Sequence, residues 1–349
     1  MKRIGKKLFA LALTLSMALS LAACGRPAGS AGDGSGDDGE TTYTFIIAHT
    51  DTEARSVHIA ATEFAAYMNE KTNGRFQVRV AANGELGDDE ELLKAVQLGT
   101  INMYIGYNGI VAGLLGDKQE MFELPFLFED GEHMLRTFEG GGLDLYNSQL
   151  EGTGYYCAGV GYEGARSIIS TKGVIDSLED MKGLKIRCGN VQTYIDYYKA
   201  VGASPTAIQF GEVYTSLTQG VIDAVDHIVP LMEDQKYTEA ANYCTIDYHF
   251  ISPCCYVVKE GYIESLPEDI REIFLEGVQQ MCQRQSEIDG GYEADLPGTT
   301  WADEGVETYY MSDELRQQFK DLTAPLYDAY NAKYPDLYEA AMALVDENR

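Results

Sequence analysis

Residues 183–225 read GLKIRCGNVQTYIDYYKAVGASPTAIQFGEVYTSLTQGVIDAV, and they decide the fold. Leu184 to Cys188 is a short apolar strand, and Val191 to Val201 a helix stopped by Gly202. Thr206 to Ile208 is strand again, Glu212 to Thr218 helix, and Val221 to Val225 a third strand behind Gly220. Strands alternating with helices across short links predict a parallel sheet covered by helices. The same succession stands earlier in the chain. Tyr43 to Ala48 is a strand, and Ser56 to Lys71 a helix striped by Val57, Ala60, Ala61, Phe64 and Met68. Phe76 to Val80, Asp88 to Leu98 and Ile101 to Ile105 complete it as strand, helix and strand. Even the spelling recurs, Leu98-Gly99-Thr100-Ile101-Asn102 beside Gln219-Gly220-Val221-Ile222-Asp223. Two α/β lobes are expected. Ligands of such sheets lie outside the carboxyl ends of the strands, so two facing lobes predict a cleft between them.

A third region follows. Leu266 to about Ile288 reads as a long amphipathic helix, with Ile270, Ile273, Phe274, Val278 and Met281 on its buried face. Helices over Asp313–Tyr334 and Pro335–Val345 come next, and all three are expected to pack across the back of both lobes. On this reading residues 41–163 with about 252–290 make lobe I, and residues 164–251 with about 291–349 make lobe II.

The 349 residues are 45% hydrophobic, with 26 Lys+Arg against 55 Asp+Glu and a net charge of −29. A field that acidic does not coat nucleic acid or an anionic lipid surface, and any anion site must be built from specific local cations. The first 23 residues read as an export signal: Lys2, Arg3, Lys6 and Lys7, then an apolar run into Leu21-Ala22-Ala23-Cys24. That ending has the form of a bacterial lipobox, which makes Cys24 the expected lipidation site. Removing residues 1–23 leaves 22 basic against 55 acidic residues. Residues 24–40, rich in Gly, Ser and Asp, are expected to be a disordered tether reaching roughly 20–25 Å. The expected location is the outer face of a cell membrane, periplasmic or at the cell surface. Six further cysteines, Cys157, Cys188, Cys244, Cys254, Cys255 and Cys282, form no CxxC pair, and their connectivity is not readable.

Enzyme and cofactor signatures are missing. No G-x-S-x-G, H-E-x-x-H or P-loop stands in the chain. Gly159-Val160-Gly161-Tyr162-Glu163-Gly164 matches the dinucleotide pattern by letter, but β-prone residues follow where a helix must open; it reads as a Gly-rich hinge and strand. None of the five histidines is paired at i,i+4, so no metal is expected. Arg187 is more informative. In the strand Leu184 and Ile186 face one way and Lys185 and Arg187 the other, which brings Arg187 out near the strand's carboxyl end. A guanidinium grips a carboxylate through two parallel charge-assisted bonds. A surface ion pair with one of the many acids is the alternative reading of the same residue.

At these residues the chain resembles the extracytoplasmic solute-binding proteins of TRAP transporters, the DctP-type family. The resemblance runs from about Tyr43 to Ala341. Its segments are Gly84-Glu85-Leu86-Gly87-Asp88, Leu124-Pro125-Phe126-Leu127-Phe128, Asp180 through Arg187, Phe210-Gly211-Glu212-Val213-Tyr214 and Gln219 through Asp223. It implies a two-lobed, periplasmic-binding-protein-like flytrap. Such a protein captures a small-molecule carboxylate and delivers it to the small and large membrane subunits of an ion-gradient-driven carrier. Arg187 matches the arginine that grips the substrate carboxylate, and Arg166 a second cationic contact at the lobe junction. Phe210 matches an aromatic that packs on ligand. His49, Tyr107 and Asn108 fall where polar contacts from the other lobe are expected. His227 stands where the family usually has Asn, and its imidazole is expected to make affinity vary with pH near neutrality. Gly290-Gly291 and Pro297 interrupt a region that is usually one helix, so a break or bend is expected there. A binding lipoprotein of an ABC importer and, at a greater remove, a surface hydrolase are the rival readings.

Overall fold

The computed structural model describes residues 41–349; the signal segment, Cys24 and the tether lie outside the described residues. Nine strands of the described residues join in a single sheet. They are β1 (Tyr43–Ala48), β2 (Phe76–Ala81), β3 (Met103–Tyr107), β4 (Tyr155–Ser170), β5 (Lys185–Cys188), β6 (Ser204–Ala207), β7 (Ala224–Ile228), β8 (Tyr243–Lys259) and β9 (Glu307–Tyr310). Their order is β2-β1-β3-β8-β4-β7-β5-β6, with β9 beside β8. The β2-β1-β3 set is parallel, and so is β7-β5-β6. The long strands β4 and β8 run antiparallel between these sets and belong to both. The two expected lobes are therefore two parallel halves on one shared pair of strands.

Eight helices position the halves: α1 (Ser56–Lys71), α2 (Asp89–Leu98), α3 (Gln192–Ala200), α4 (Val213–Thr218), α5 (Val229–Asp234), α6 (Glu268–Asp295), α7 (Asp313–Lys333) and α8 (Pro335–Glu347). Alternation along the strands feeds a separate core on each face of each half. Phe45 and Ile47 pack with α1 and α6, while Ala48 packs with α2. In the other half Ile168 joins Ile186 and Tyr198, and the adjacent Ile169 joins Val213 and Trp301. The C-terminal helices serve both halves: Leu315 and Phe319 of α7 lie with Ile186, whereas Ala341 and Val345 of α8 lie with Phe122 and Met134.

The repeated spelling has a physical meaning. Gly99 and Gly220 each follow a helix with φ of 78° and 70°, the left-handed region in which glycine has no Cβ penalty. Ile101 and Ile222 then plug their cores. Asn102 and Asp223 each donate their backbone N–H to the neighbouring strand, at Ile46 and Lys185, and accept that residue's N–H on the side chain. Residues read as strand starts are thus turn and anchor, so β3 begins at Met103 and β7 at Ala224.

The helix expected to break does not do so at its glycines. α6 runs through Gly290-Gly291 to Asp295, and only then does a 3-10 turn over Leu296–Gly298 take Pro297. Two helical glycines cost about 1 kcal/mol each, a penalty that packing of α6 on β4 and α1 outweighs. Glycines matter instead where α6 crosses β4. A Cβ on Gly161 would sit 2.2 Å from Gln285 Oε1, and one on Gly159 2.7 Å from Cys282 Sγ. The G-x-G letters mark a close helix–strand crossing and open no helix. All six cysteines of the described residues are buried and unbonded.

Candidate functional site

The carboxyl ends of β1, β3, β5, β6 and β7 converge on a cavity of about 500 Å³ between the halves. Arg187 at the end of β5 lines it, as do Arg166, His227, Phe210 and Tyr107. Five of the seven expected site residues are thereby brought together.

Arg187 is 5% exposed, and its Nε donates to the carbonyl oxygen of Ile208 at 3.1 Å. That is its one protein hydrogen bond among the described residues, and no carboxylate lies within ion-pair distance. Both terminal nitrogens of the guanidinium are left to the cavity. A buried cation without a counter-ion is costly, so the position is arranged for an anion that arrives from outside.

Arg166 is built differently. Its Nε donates to Asp226 Oδ1 at 2.7 Å, its NH2 donates to the Asp226 carbonyl at 2.9 Å, and its guanidinium lies 4.8 Å from the centre of the Tyr194 ring. Burial alone would lower its pKa, but Asp226, then Tyr194, raise it above the ordinary value. One nitrogen, NH1, remains without a protein partner. Asp226 also faces His249, whose other side is held by Asp247 at 2.8 Å. Burial works against a charge on His249, but Asp247 and Asp226 outweigh it and push its pKa up to about 9.

His227 is turned by its own backbone: Nδ1 accepts the N–H of Ile228 at 2.9 Å, which leaves Nε2 as the proton-bearing nitrogen. Phe210 packs beside it at 5.9 Å between ring centres. Burial first, then Arg166 and Arg187, hold the imidazole well below its ordinary pKa. The expectation that its charge changes near neutrality is corrected on this point. The ring is a fixed neutral donor.

His49 and Asn108 do not reach the cavity wall. The His49 ring is buried under it with Nε2 3.3 Å from His58 Nδ1, and burial, then His58, lowers its pKa to about 4. Asn108 turns into the first half. Its amide donates to the Gln119 carbonyl and to Glu123 Oε1, both at 2.9 Å, and its oxygen accepts the Tyr146 hydroxyl at 2.7 Å. Asn108 has no group left for a ligand, and the unpartnered Nδ1 of His49 is buried outside the cavity lining.

Residues not singled out in the sequence complete the surroundings. Asp51, Asp89 and Glu163 line the first half's side and the floor. Behind them Arg55 pairs with Asp289 at 3.1 Å and with Glu163 at 3.6 Å. Bonds also cross between the halves: Thr52 Oγ1 donates to Asp234 at 2.9 Å, the Thr193 N–H to Glu120 at 3.1 Å, and the Tyr194 hydroxyl to Glu123 at 2.6 Å. Among the described residues no cluster with metal-ligand character occurs, and no helix is long and apolar enough to cross a membrane.

Comparison with known proteins agrees with this geometry. Residues 47–333 match bacterial extracellular solute-binding protein, family 7, or DctP. The chain belongs to this family. The 2,3-diketo-L-gulonate-binding periplasmic protein YiaO of Escherichia coli K12 is 28% identical over 276 residues, 76% of this chain and 83% of that protein. The sialic acid-binding periplasmic protein SiaP of Vibrio cholerae is 26% identical, over 78% and 84% of the two chains. Among solved structures, the sugar acid binding protein of Advenella mimigardefordensis in complex with galactonate superposes with a TM-score of 0.82 at 20% identity, covering 88% of this chain and 99% of that one. A TRAP periplasmic solute-binding protein of Chromohalobacter salexigens with bound D-glucuronate gives 0.81 at 24% identity, covering 87% and 100%. These likenesses establish the two-lobed fold.

Proposed function

We propose that the chain captures a small organic acid in the cavity between its halves and hands it to a TRAP-type membrane transporter. The observation that carries this reading is Arg187, a buried guanidinium with two unpartnered nitrogens in a chain where acids outnumber bases two to one. A carboxylate seated there takes two parallel charge-assisted bonds. NH1 of Arg166, the His227 Nε2–H and the half-buried Tyr107 hydroxyl are the further donors, and Phe210 packs on the ligand's flank.

Residues 41–163 with about 252–290 act as one lobe and residues 164–251 with most of 291–349 as the other, α8 returning to the first. Closure brings Thr52 to Asp234 and Thr193 to Glu120, and those bonds break when the lobes part. Binding and closing are coupled because the acid is desolvated only when both walls meet it. Lipidation of Cys24 would hold the body at the outer face of the membrane. The sugar-acid ligands of the relatives named above support an acid as the cargo.

A thermal-shift panel of gluconate, glucuronate, N-acetylneuraminate, pyruvate and glutamate tests the reading, with glucose and a dipeptide as neutral controls. An acid at 100 times its dissociation constant should stabilise the fold by about 2.7 kcal/mol. Shifts from the neutral compounds alone would refute the proposal.

A further inference from the structure

The cavity is polarised. The cationic donors and the imidazole stand on the second half's side, Arg187, NH1 of Arg166 and the His227 Nε2–H, with the Tyr107 hydroxyl facing them from the first half. Acceptors stand on the other side and the floor. Asp89 Oδ1 already takes the hydroxyls of Thr50 and Tyr104, each at 3.0 Å, which leaves Oδ2 without a protein donor. The Asp51 carboxylate, just past β1, takes no protein hydrogen bond among the described residues. Glu163 faces Arg55 at 3.6 Å, too long for a hydrogen bond, and Arg55 is shared with Asp289. These half-buried acceptors and the unmatched guanidinium border the same 500 Å³ space, so a ligand that displaces its water must answer both.

We infer that the ligand is a monocarboxylic acid whose far end donates hydrogen bonds, through hydroxyl or ammonium groups, and carries no second anion. This rests on the reading that its carboxylate sits on Arg187, and it selects among the acids that reading admits. A ligand of this kind answers donors with its acid end and acceptors with its tail. A dicarboxylate would place its second charge against Asp89, ionised above about pH 6, and Asp51 beside it. These groups already crowd one another: burial, with partial relief from Thr50 and Tyr104, pushes Asp89 up to about 6. Burial and the nearby Asp51 push Glu163 up to about 8. An apolar tail would strand the acceptors dry, which costs more than it gains by contact.

Six-carbon acids of matched length test the inference by calorimetry on the full chain: gluconate and glucuronate with hydroxyl tails, 6-aminohexanoate with an ammonium, hexanoate with none, and glucarate and adipate with a second carboxylate. A donor-tailed monoacid should bind at least about tenfold tighter than hexanoate, glucarate and adipate, in keeping with specificity set by unpaired polar groups. Whether hydroxyl or ammonium leads identifies the tail. Asp89→Asn, which keeps an oxygen for Thr50 and Tyr104, should narrow the gap between gluconate and glucarate. Tightest binding by glucarate, adipate or hexanoate, still lost in Arg187→Ala, would overturn this inference and leave the acid reading standing. Silence from all six acids would overturn both.

Discussion

Arg187 and Arg55 are equally buried, 5% and 4% exposed, and their surroundings are opposites. Arg55 is ringed by acids: Asp289 and Glu163 pair with it, and Asp51 and Asp234 raise its pKa further against the pull of burial. Arg187 has one backbone carbonyl. In a chain with 55 acids, filling a site with carboxylates takes no special arrangement, whereas keeping one clear of them does. The contrast separates a cation that holds the structure from a cation kept for a ligand. Arg166 stands between the two, with most of its fork on Asp226 and one nitrogen turned to the cavity.

The sharpest way to break this comparison is to remove each arginine. Arg55→Met strands a cluster of buried acids, and breaking a buried pair typically costs about 3–5 kcal/mol. The urea midpoint of the unliganded protein should fall accordingly. Arg187→Met should leave that midpoint unchanged or raise it, because the charge it deletes has no internal partner. Its effect should fall on binding, where truncating one side of a buried charged pair costs about 2–5 kcal/mol, or roughly 30- to 4000-fold in affinity. A destabilised Arg187→Met with normal binding, or the converse for Arg55→Met, would merge the two roles.

How much of this the sequence discloses follows from the same contrast. Strands such as Tyr43–Ala48 and Lys185–Cys188 are legible because their burial needs only apolar side chains and alternation. β8 is not, and β4 shows only as a Gly-rich hinge and strand, since glycines and buried polar residues break their pattern. Asp226 is tolerable in the core only because Arg166, remote in the chain, neutralises it, and His249 because Asp226 and the nearby Asp247 do. The helix through Gly290-Gly291 is likewise sustained by partners no local window contains. Of the site, Arg187, Arg166, Phe210, His227 and Tyr107 are legible through family resemblance. Asn108 follows Tyr107 directly, and adjacent residues at a strand's end point to different sides, so position alone misplaces it. The acceptor wall of Asp51 and Asp89 escaped notice because carboxylates are too numerous for any one to signal a role.

A smaller effect sharpens the middle case, Arg166. The pKa of His249 is raised in the folded protein to about 9 from an unfolded value near 6.5. Its stabilising share is therefore complete below about pH 6.5 and lost as pH climbs through the folded value, worth roughly 3 kcal/mol. Asp289, raised to about 7, and Glu163, raised to about 8, slope the same way. The difference between wild type and His249→Gln isolates the histidine: urea midpoints should converge as the pH approaches 9.5 or so. Parallel curves would show His249 neutral, and the link through Asp226 to Arg166 a purely geometric one.

The smallest expected effect is at His227, and its smallness is the point. Burial and two arginines keep the ring neutral, and the Ile228 N–H fixes its tautomer. A group that does not change charge cannot bend a binding curve, even though it sits in the site and titrates near neutrality when free. Any slope in affinity between about pH 5.5 and 8 must then come from the ligand, from Asp89 and Glu163 across the cavity, or from Asp289 behind them, all of which titrate in that range. His227→Gln keeps a donor and removes the imidazole. It should shift the affinity by one factor at every pH, giving a profile parallel to that of wild type. A variant profile that flattens instead would mean that closure admits a proton to His227, and that the donor side of the cavity is not the fixed half of the pair.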